Sequence, residues 1–508
     1  MTTDNSQFDL PKPAKAEKDL YSKAVKGGAW VFVLRISVQI IFAARLLVFL
    51  HFIPITDMGL LGIAMLMIDI LNKFTNTGFN AALIQKADDI KGYLDTAWTV
   101  NIIRSLILFA ILYFAAPYLA MLKVPPEKVA LTITIIRAIG LLMIANAFNN
   151  IALVYFRKEL QFNKRFIFDI AATLVNVIVS ISIAIVYRSV WSLVLGRLAG
   201  ALTRCLLSYL MHPYRPTLRF DLPKAREMWS FGKWIFITTI IGFLMTQGDD
   251  LFVWGILGPA SLAMYLFAYK FSNVPATEIT RIINQVTFPA YSKIQDDIPR
   301  LRQAYLKVLQ LTAFLTIPVA GLIFILTSDF VRIFAPAEYA PMTRPMQILA
   351  IFGMLRSIGS TRGPVFQAMG KLRNLTILQT VKLILFAFLL YPLTTRFGLA
   401  GTALTIVMVS FAGQPVGFYL TMKITKLRLW EILRPMIFPL IATLAMLAVM
   451  LVFRHLVFDD ITLISFFVFA GVGLLSYIIF VLLLERICGY KISTIIIEHL
   501  QSLRQVGN

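Results

Sequence analysis

Charged and amide side chains recur at helical spacing inside long apolar stretches of this chain. Arg35 and Gln39 share one face of a stretch that also holds Arg45. Asp69, Asn72, Lys73, Asn76 and Asn80 form a second stripe, in which Asp69 and Lys73 stand four apart and can pair. Lys270, Asn273, Thr277, Arg281 and Asn284 form a third, and Arg356, Ser360 and Gln367 a fourth. Asp249 and Asp250 close another apolar stretch. An ionisable group in a hydrocarbon layer costs about 2.5–3.5 kcal/mol on insertion scales, so it faces a partner or a water-filled cavity. Stripes of this kind build a continuous hydrophilic wall, and Arg and Lys exceed Asp and Glu along it. The expected guest is an anion, with phosphate or carboxylate held by Arg35, Lys73, Lys270, Arg281 and Arg356. Gln39, Asn76 and Asn273 suit neutral hydroxyls, and Asp69, Asp249 and Asp250 suit a coupling cation or a gate.

Blander readings stand beside these. Arg104, Arg137, Lys233 and Lys382 also fit snorkelling or a place between helices. Arg45, Asp57 and Arg344 fit the membrane interface better than its interior. Asp249 and Asp250 also fit a capping or bridging role at a helix rim.

Enzyme chemistry finds little support. No nucleophile–base pair, HExxH pair or phosphate-binding glycine loop occurs. The two cysteines, Cys205 and Cys488, offer neither a disulfide framework nor metal spacing, and the four histidines are scattered. No cofactor and no metal is expected.

The elements that carry the stripes follow from hydropathy. Of 508 residues 58% are hydrophobic and only 15% charged, yet the net charge is +22. The basic excess falls in gaps between apolar runs, which points to membrane topology and not to nucleic acid. With about 20 apolar residues per crossing, about fourteen transmembrane helices are expected. They cover 27–48, 57–78, 94–116, 129–155, 166–187, 191–211, 229–256, 259–289, 301–326, 341–369, 372–394, 397–422, 433–453 and 461–484. Loop charge alternates, about 27 Lys and Arg on one side against about 6 on the other, so both termini of this inner-membrane protein belong in the cytoplasm. The polar, lysine-rich start has no apolar core with a cleavage site, and no cleaved leader is expected.

The first twelve spans read as a duplicated six. Gly28-Ala29-Trp30 opens the first and Gly232-Lys233-Trp234 the seventh; Pro54-Ile55-Thr56-Asp57 precedes the second and Pro259-Ala260-Ser261 the eighth. The expected fold is an all-α polytopic membrane protein with two pseudo-repeated six-helix lobes and two C-terminal helices. Its parts are a cytoplasmic segment 1–26, an N-lobe 27–212, an inter-lobe loop 213–228, a C-lobe 229–422, a final helix pair 423–485 and a tail 486–508. Pro275, Pro318, Gly353, Gly359, Gly363, Pro364, Gly413, Pro415 and Gly417 interrupt spans as hinges or static kinks.

Several segments carry a family likeness. Gln247-Gly248-Asp249-Asp250, Leu257-Gly258-Pro259, Tyr265 with Ala268, and Phe288-Pro289-Ala290-Tyr291-Ser292-Lys293 resemble the Wzx-type polysaccharide flippases. These belong to the multidrug/oligosaccharidyl-lipid/polysaccharide exporter superfamily. Asp57-Met58-Gly59-Leu60 and Gly78-Phe79-Asn80-Ala81-Ala82-Leu83-Ile84-Gln85-Lys86 fit too. The likeness spans nearly the whole chain and is closest to colanic-acid-type exporters. One departure is Ala263, where the family commonly has glycine. The resemblance implies a V-shaped pair of lobes around a cationic cavity. It also implies an undecaprenyl-pyrophosphate-linked oligosaccharide as cargo, moved to the outer leaflet, with a proton or sodium ion as coupling partner. A polymerase and other polysaccharide assembly proteins are partners it admits. The rivals are a cation-coupled multidrug exporter of the same superfamily and a membrane-embedded glycan polymerase or glycosyltransferase. The first would need a carboxylate-led cavity and the second a sizeable catalytic loop.

Overall fold

A computed structural model describes residues 41, 45, 47–75, 77–79, 82–83, 90–158, 162–457 and 462–488. Every regular element among them is helical. This follows from the apolar composition, because peptide groups in hydrocarbon have no water to bond and must satisfy one another within a helix. Nine helices among the described residues are long and apolar enough to cross a membrane.

The first half supplies α1 (Ile55–Phe74), α2 (Lys91–Ala120), α3 (Val129–Ala147), α4 (Phe162–Tyr187) and α5 (Trp191–Met211). The second supplies α6 (Leu222–Leu257), α7 (Pro259–Ser272), α8 (Thr280–Lys293), α9 (Ile298–Phe334), α10 (Thr343–Ser360), α11 (Arg362–Ala368) and α12 (Leu372–Thr425). The chain then runs through α13 (Leu429–Val457) and α14 (Leu463–Cys488).

Two expected runs are broken helices. The eighth divides into α7 and α8 around a π-helical turn, Pro275–Ile279. Proline supplies no N–H and crowds the preceding turn, which widens the helix there. The tenth divides into α10 and α11 at Thr361. Pro318 sits inside α9 without dividing it. The eleventh and twelfth runs are joined in α12 by a sharp break at Gly398, whose φ of +58° suits a residue without a Cβ. The seventh run starts earlier than expected, at Leu222. Asp221 caps it by accepting the Lys224 N–H at 3.2 Å.

The halves meet along α1, α6 and α7. A Cβ on Gly59 would lie 1.9 Å from the Pro259 carbonyl oxygen, so α1 and the start of α7 touch backbone to backbone. Gly62 packs on Leu262 and Leu266, and the Tyr339 hydroxyl donates to Met58 Sδ at 3.4 Å. One apolar core therefore runs across both halves at this end, through Leu60, Ile63, Leu262 and Tyr265. Toward the other end the cores part. One gathers Phe79, Leu94 and Ala225, and the other gathers Tyr291, Leu301 and Tyr305.

The segment between the halves is strapped to the first. Asp95 accepts from the Tyr214 hydroxyl at 2.8 Å and from the Thr217 N–H and hydroxyl, each at 2.9 Å. Burial and the bond to Asp95 push the Tyr214 phenol well above its ordinary range. Elsewhere large apolar side chains such as Phe114, Leu210, Phe388 and Ile464 face outward, as a lipid-covered surface requires.

Candidate functional site

The charged layer lies about 15 Å along α1 from the closed end, ten residues beyond Gly59 at 1.5 Å per residue. That is half the thickness of a bilayer core of about 30 Å. Two patches share this level.

The first patch is cationic and joins both halves. Arg45 Nη1 donates to Asn176 Oδ1 on α4 at 2.6 Å, and the Ser180 hydroxyl donates to the same oxygen at 3.2 Å. Asn176 is held there by close packing of α4 on α5. A Cβ on Gly196 would meet Ser180 Oγ at 1.8 Å, and one on Gly200 would meet Asn176 Cβ at 2.9 Å. Between these glycines stands Arg197, whose Nη1 is enclosed without a hydrogen-bonding partner. Lys270, in the last turn of α7, is exposed and lies near enough to Arg45 and Arg197 to feel both charges. Two cations from one half and one from the other thus converge. Like charges that reach one another repel, so the arrangement favours an incoming polyanion.

The second patch is acidic. Asp69 Oδ2 on α1 accepts from Gln247 Nε2 on α6 at 3.0 Å, a direct bond between the halves. Asp249 and Asp250 are both buried on α6. The Tyr265 hydroxyl donates to Asp249 Oδ2 at 2.8 Å, and Asp250 faces the charges of Asp249 and Asp69. On the far side, Arg356 Nη1 donates to the Tyr269 hydroxyl at 2.9 Å and its charge reaches Asp249. Close packing positions Arg356, since a Cβ on Gly353 would sit 2.7 Å from the Ser272 carbonyl oxygen. Arg197 also feels Asp69, which links the two patches.

The expected residues fall into three groups. Asp69, Asp249, Asp250, Lys270 and Arg356 come together in this layer. Lys73 is exposed at the end of α1 and forms no ion pair with Asp69, which bonds Gln247 instead. Asn273 is only 1% exposed and packs within the second half, where its amide donates to the Tyr269 carbonyl at 3.1 Å. It is part of the α7–α10 contact and not of an open wall. Arg281 falls on α8, while Arg35, Gln39 and Asn76 lie outside the described residues. Arg45, expected at the membrane interface, is half-buried and bonds Asn176 on α4. Arg197 is one of the cations that the sequence places within the spans, without a place in the expected site. Its signal was the pair of glycines four residues apart that flank it, which bring α5 against a polar face of α4.

Comparison with known proteins agrees with this architecture. The family described as polysaccharide biosynthesis protein matches residues 44–344, more than half of the chain. The chain is 24% identical to the lipopolysaccharide biosynthesis protein WzxC of Escherichia coli strain K12, over 69% of this chain and 70% of that protein. It is 22% identical to the teichuronic acid biosynthesis protein TuaB of Bacillus subtilis strain 168, over 73% of this chain and 76% of that one. Among solved structures it resembles the lipid II flippase MurJ in an inward closed conformation. The TM-score is 0.71 at 18% identity, covering 89% of this chain and 99% of the other. An inward-facing multidrug-resistance MATE transporter gives a TM-score of 0.57 at 17% identity, covering 78% and 98%. At such identities these structures speak for the fold.

Proposed function

Because the chain belongs to the polysaccharide biosynthesis protein family, we propose that it is a flippase that carries undecaprenyl-pyrophosphate-linked oligosaccharide from the cytoplasmic to the outer leaflet. The observation that carries this reading is the meeting of Arg45 and Arg197 with Lys270 across the two halves. A pyrophosphate bears concentrated negative charge and oxygens that guanidinium groups bind in pairs. Sugar hydroxyls suit the amides and hydroxyls around it, and the lipid tail stays in the bilayer between the lobes.

In this reading fourteen spans cross the inner membrane, six in a lobe at 27–212, six in a lobe at 229–422 and two in the final pair at 423–485, with both termini cytoplasmic. The end closed by Gly59 and Pro259 then faces outward, and the protein is in its inward-facing state. Transport proceeds by alternating access. Asp69, Asp249 and Asp250 take up a proton or sodium ion, which weakens the Asp69–Gln247 tie and lets the lobes part on the outer side. Arg35, Gln39, Lys73, Asn76 and Arg281 are assigned to cargo binding as well. Arg356 steadies Asp249.

Export of polymer in cells that lack the protein tests the reading. Wild-type chain restores export, and Lys270→Ala and Arg197→Gln fail to restore it while reaching the membrane at normal levels. Full export by both variants would sink the cationic site. A multidrug exporter would instead change drug susceptibility with no effect on polymer, and the cationic patch disfavours the cationic drugs such an exporter would carry.

A further inference from the structure

Arg362 is the largest fully buried side chain among the described residues, only 1% exposed, and its partners Gln414 and Phe418 both belong to the second half. Among the described residues no carboxylate lies within ion-pair distance of it. Its Nη2 donates to Gln414 Oε1, and its guanidinium carbon sits 4.5 Å from the centre of the Phe418 ring. Gln414 is fixed in that role, because its amide donates to the Leu355 carbonyl at 3.1 Å. A Cβ on Gly417 would meet Arg362 Nη1 at 2.0 Å, and one on Gly413 would meet Lys382 Cε at 2.4 Å. Two glycines one turn apart on α12 therefore seat two cations side by side, and the charges of Arg362 and Arg356 both reach Lys382.

Three polar groups in this interior lack a well-formed hydrogen bond: Arg362 Nε, the Tyr305 hydroxyl and the Tyr291 hydroxyl. Tyr305 is fully buried and Tyr291 is 1% exposed. The Tyr305 oxygen makes only loose hydrogen-bonding contact with Arg362, Thr361 and Thr421, and Tyr291 neighbours Tyr305. The place is rich in donors and poor in acceptors. A guanidinium buried without a counter-charge is costly, as are buried hydroxyls without partners. Both costs fall if an anion small enough to enter a close-packed helix bundle sits among them.

We propose that the interior of the second lobe holds a chloride-sized monovalent anion, bound by Arg362 Nε and the Tyr305 and Tyr291 hydroxyls beside Lys382. The site is separate from the oligosaccharide path, since a side chain so deeply enclosed is out of reach of a large cargo. Its role is to neutralise the lobe so that it moves as one body.

The test uses the purified full chain in nanodiscs, with the thermal unfolding midpoint followed as chloride replaces gluconate at constant ionic strength. Wild-type protein is stabilised by chloride with a saturable dependence, and bromide substitutes for it. Tyr305→Phe removes one donor and raises the half-saturating concentration ~10-fold, as loss of a charge-assisted hydrogen bond should. Arg362→Gln abolishes the dependence. If Arg362→Gln does not fold, Tyr305→Phe decides alone. An equal midpoint in chloride and gluconate for the wild type, or an unchanged half-saturation in Tyr305→Phe, overturns the proposal. Water in place of the anion gives the first of those results.

Discussion

Gly59 and Pro259 touch backbone to backbone, so closely that a Cβ on Gly59 would fall 1.9 Å from the Pro259 carbonyl oxygen. No rotamer change relieves that clash, because the obstacle is main chain. Gly59→Val should therefore hold the two halves apart at this end. Cysteines placed at Thr56 and Ala260, which line one crevice there, report the change. In a background without Cys205 and Cys488 they should crosslink with Gly59 present and lose most of that crosslinking with valine. Equal crosslinking would mean that the contact is looser than its geometry.

The cationic patch predicts a graded charge series. Lys270→Arg keeps the charge and should keep most transport. Lys270→Ala should lower polymer export ~10-fold or more, and Lys270→Glu further, by the loss of a charged contact and then its reversal. Export that tracks side-chain size and not charge would contradict the series.

Asp249 and Tyr265 form the best-defined pair in the acidic patch, with the hydroxyl 2.8 Å from the carboxylate. Asp249→Asn removes the charge and keeps the shape. It should abolish ion-driven transport in vesicles while leaving binding of the lipid-linked oligosaccharide within a few-fold of wild type. Tyr265→Phe should be milder, by about the 0.5–1.5 kcal/mol of one hydrogen bond. Lost binding in Asp249→Asn would make Asp249 part of the cargo site or of the fold.

The start of α6 carries a pH-dependent cap. The Lys224 N–H, then its side chain, holds the Asp221 carboxyl below its ordinary range. A depressed folded-state value means that the cap stabilises fully above the ordinary carboxylate range and is lost as pH falls through the lowered one. Protection from hydrogen exchange at 222–226, taken relative to the intrinsic rate at each pH, should therefore fall in acid, and Asp221→Ala should show the lower protection already at neutral pH. Protection that is indifferent to both would show that packing alone holds this helix start.

Much of the fold was legible because hydropathy and helix length are local. The run 191–211 coincides with α5, and Pro275 announced the break between α7 and α8. The partners of the charged residues were less legible, because they are set by packing between distant segments. Spacing suggested that Asp69 pairs with Lys73, yet the tertiary contact with Gln247 wins. Asn273 shares a face with Lys270 in the sequence, but the glycine at 353 lets α10 come close enough to bury it. Nothing local to Arg45 shows that its partner is Asn176, 131 residues away.

Direct observation of translocation tests the central claim most sharply. Full-length protein is reconstituted in proteoliposomes with labelled undecaprenyl-pyrophosphate oligosaccharide in one leaflet, and a membrane-impermeant glycosidase reports its arrival in the other. Wild-type protein should make the label accessible, and Lys270→Ala or Arg197→Gln should leave it protected. Protected label with the wild type, or equal accessibility with the charge-free variants, would contradict a flippase built around this cationic seam.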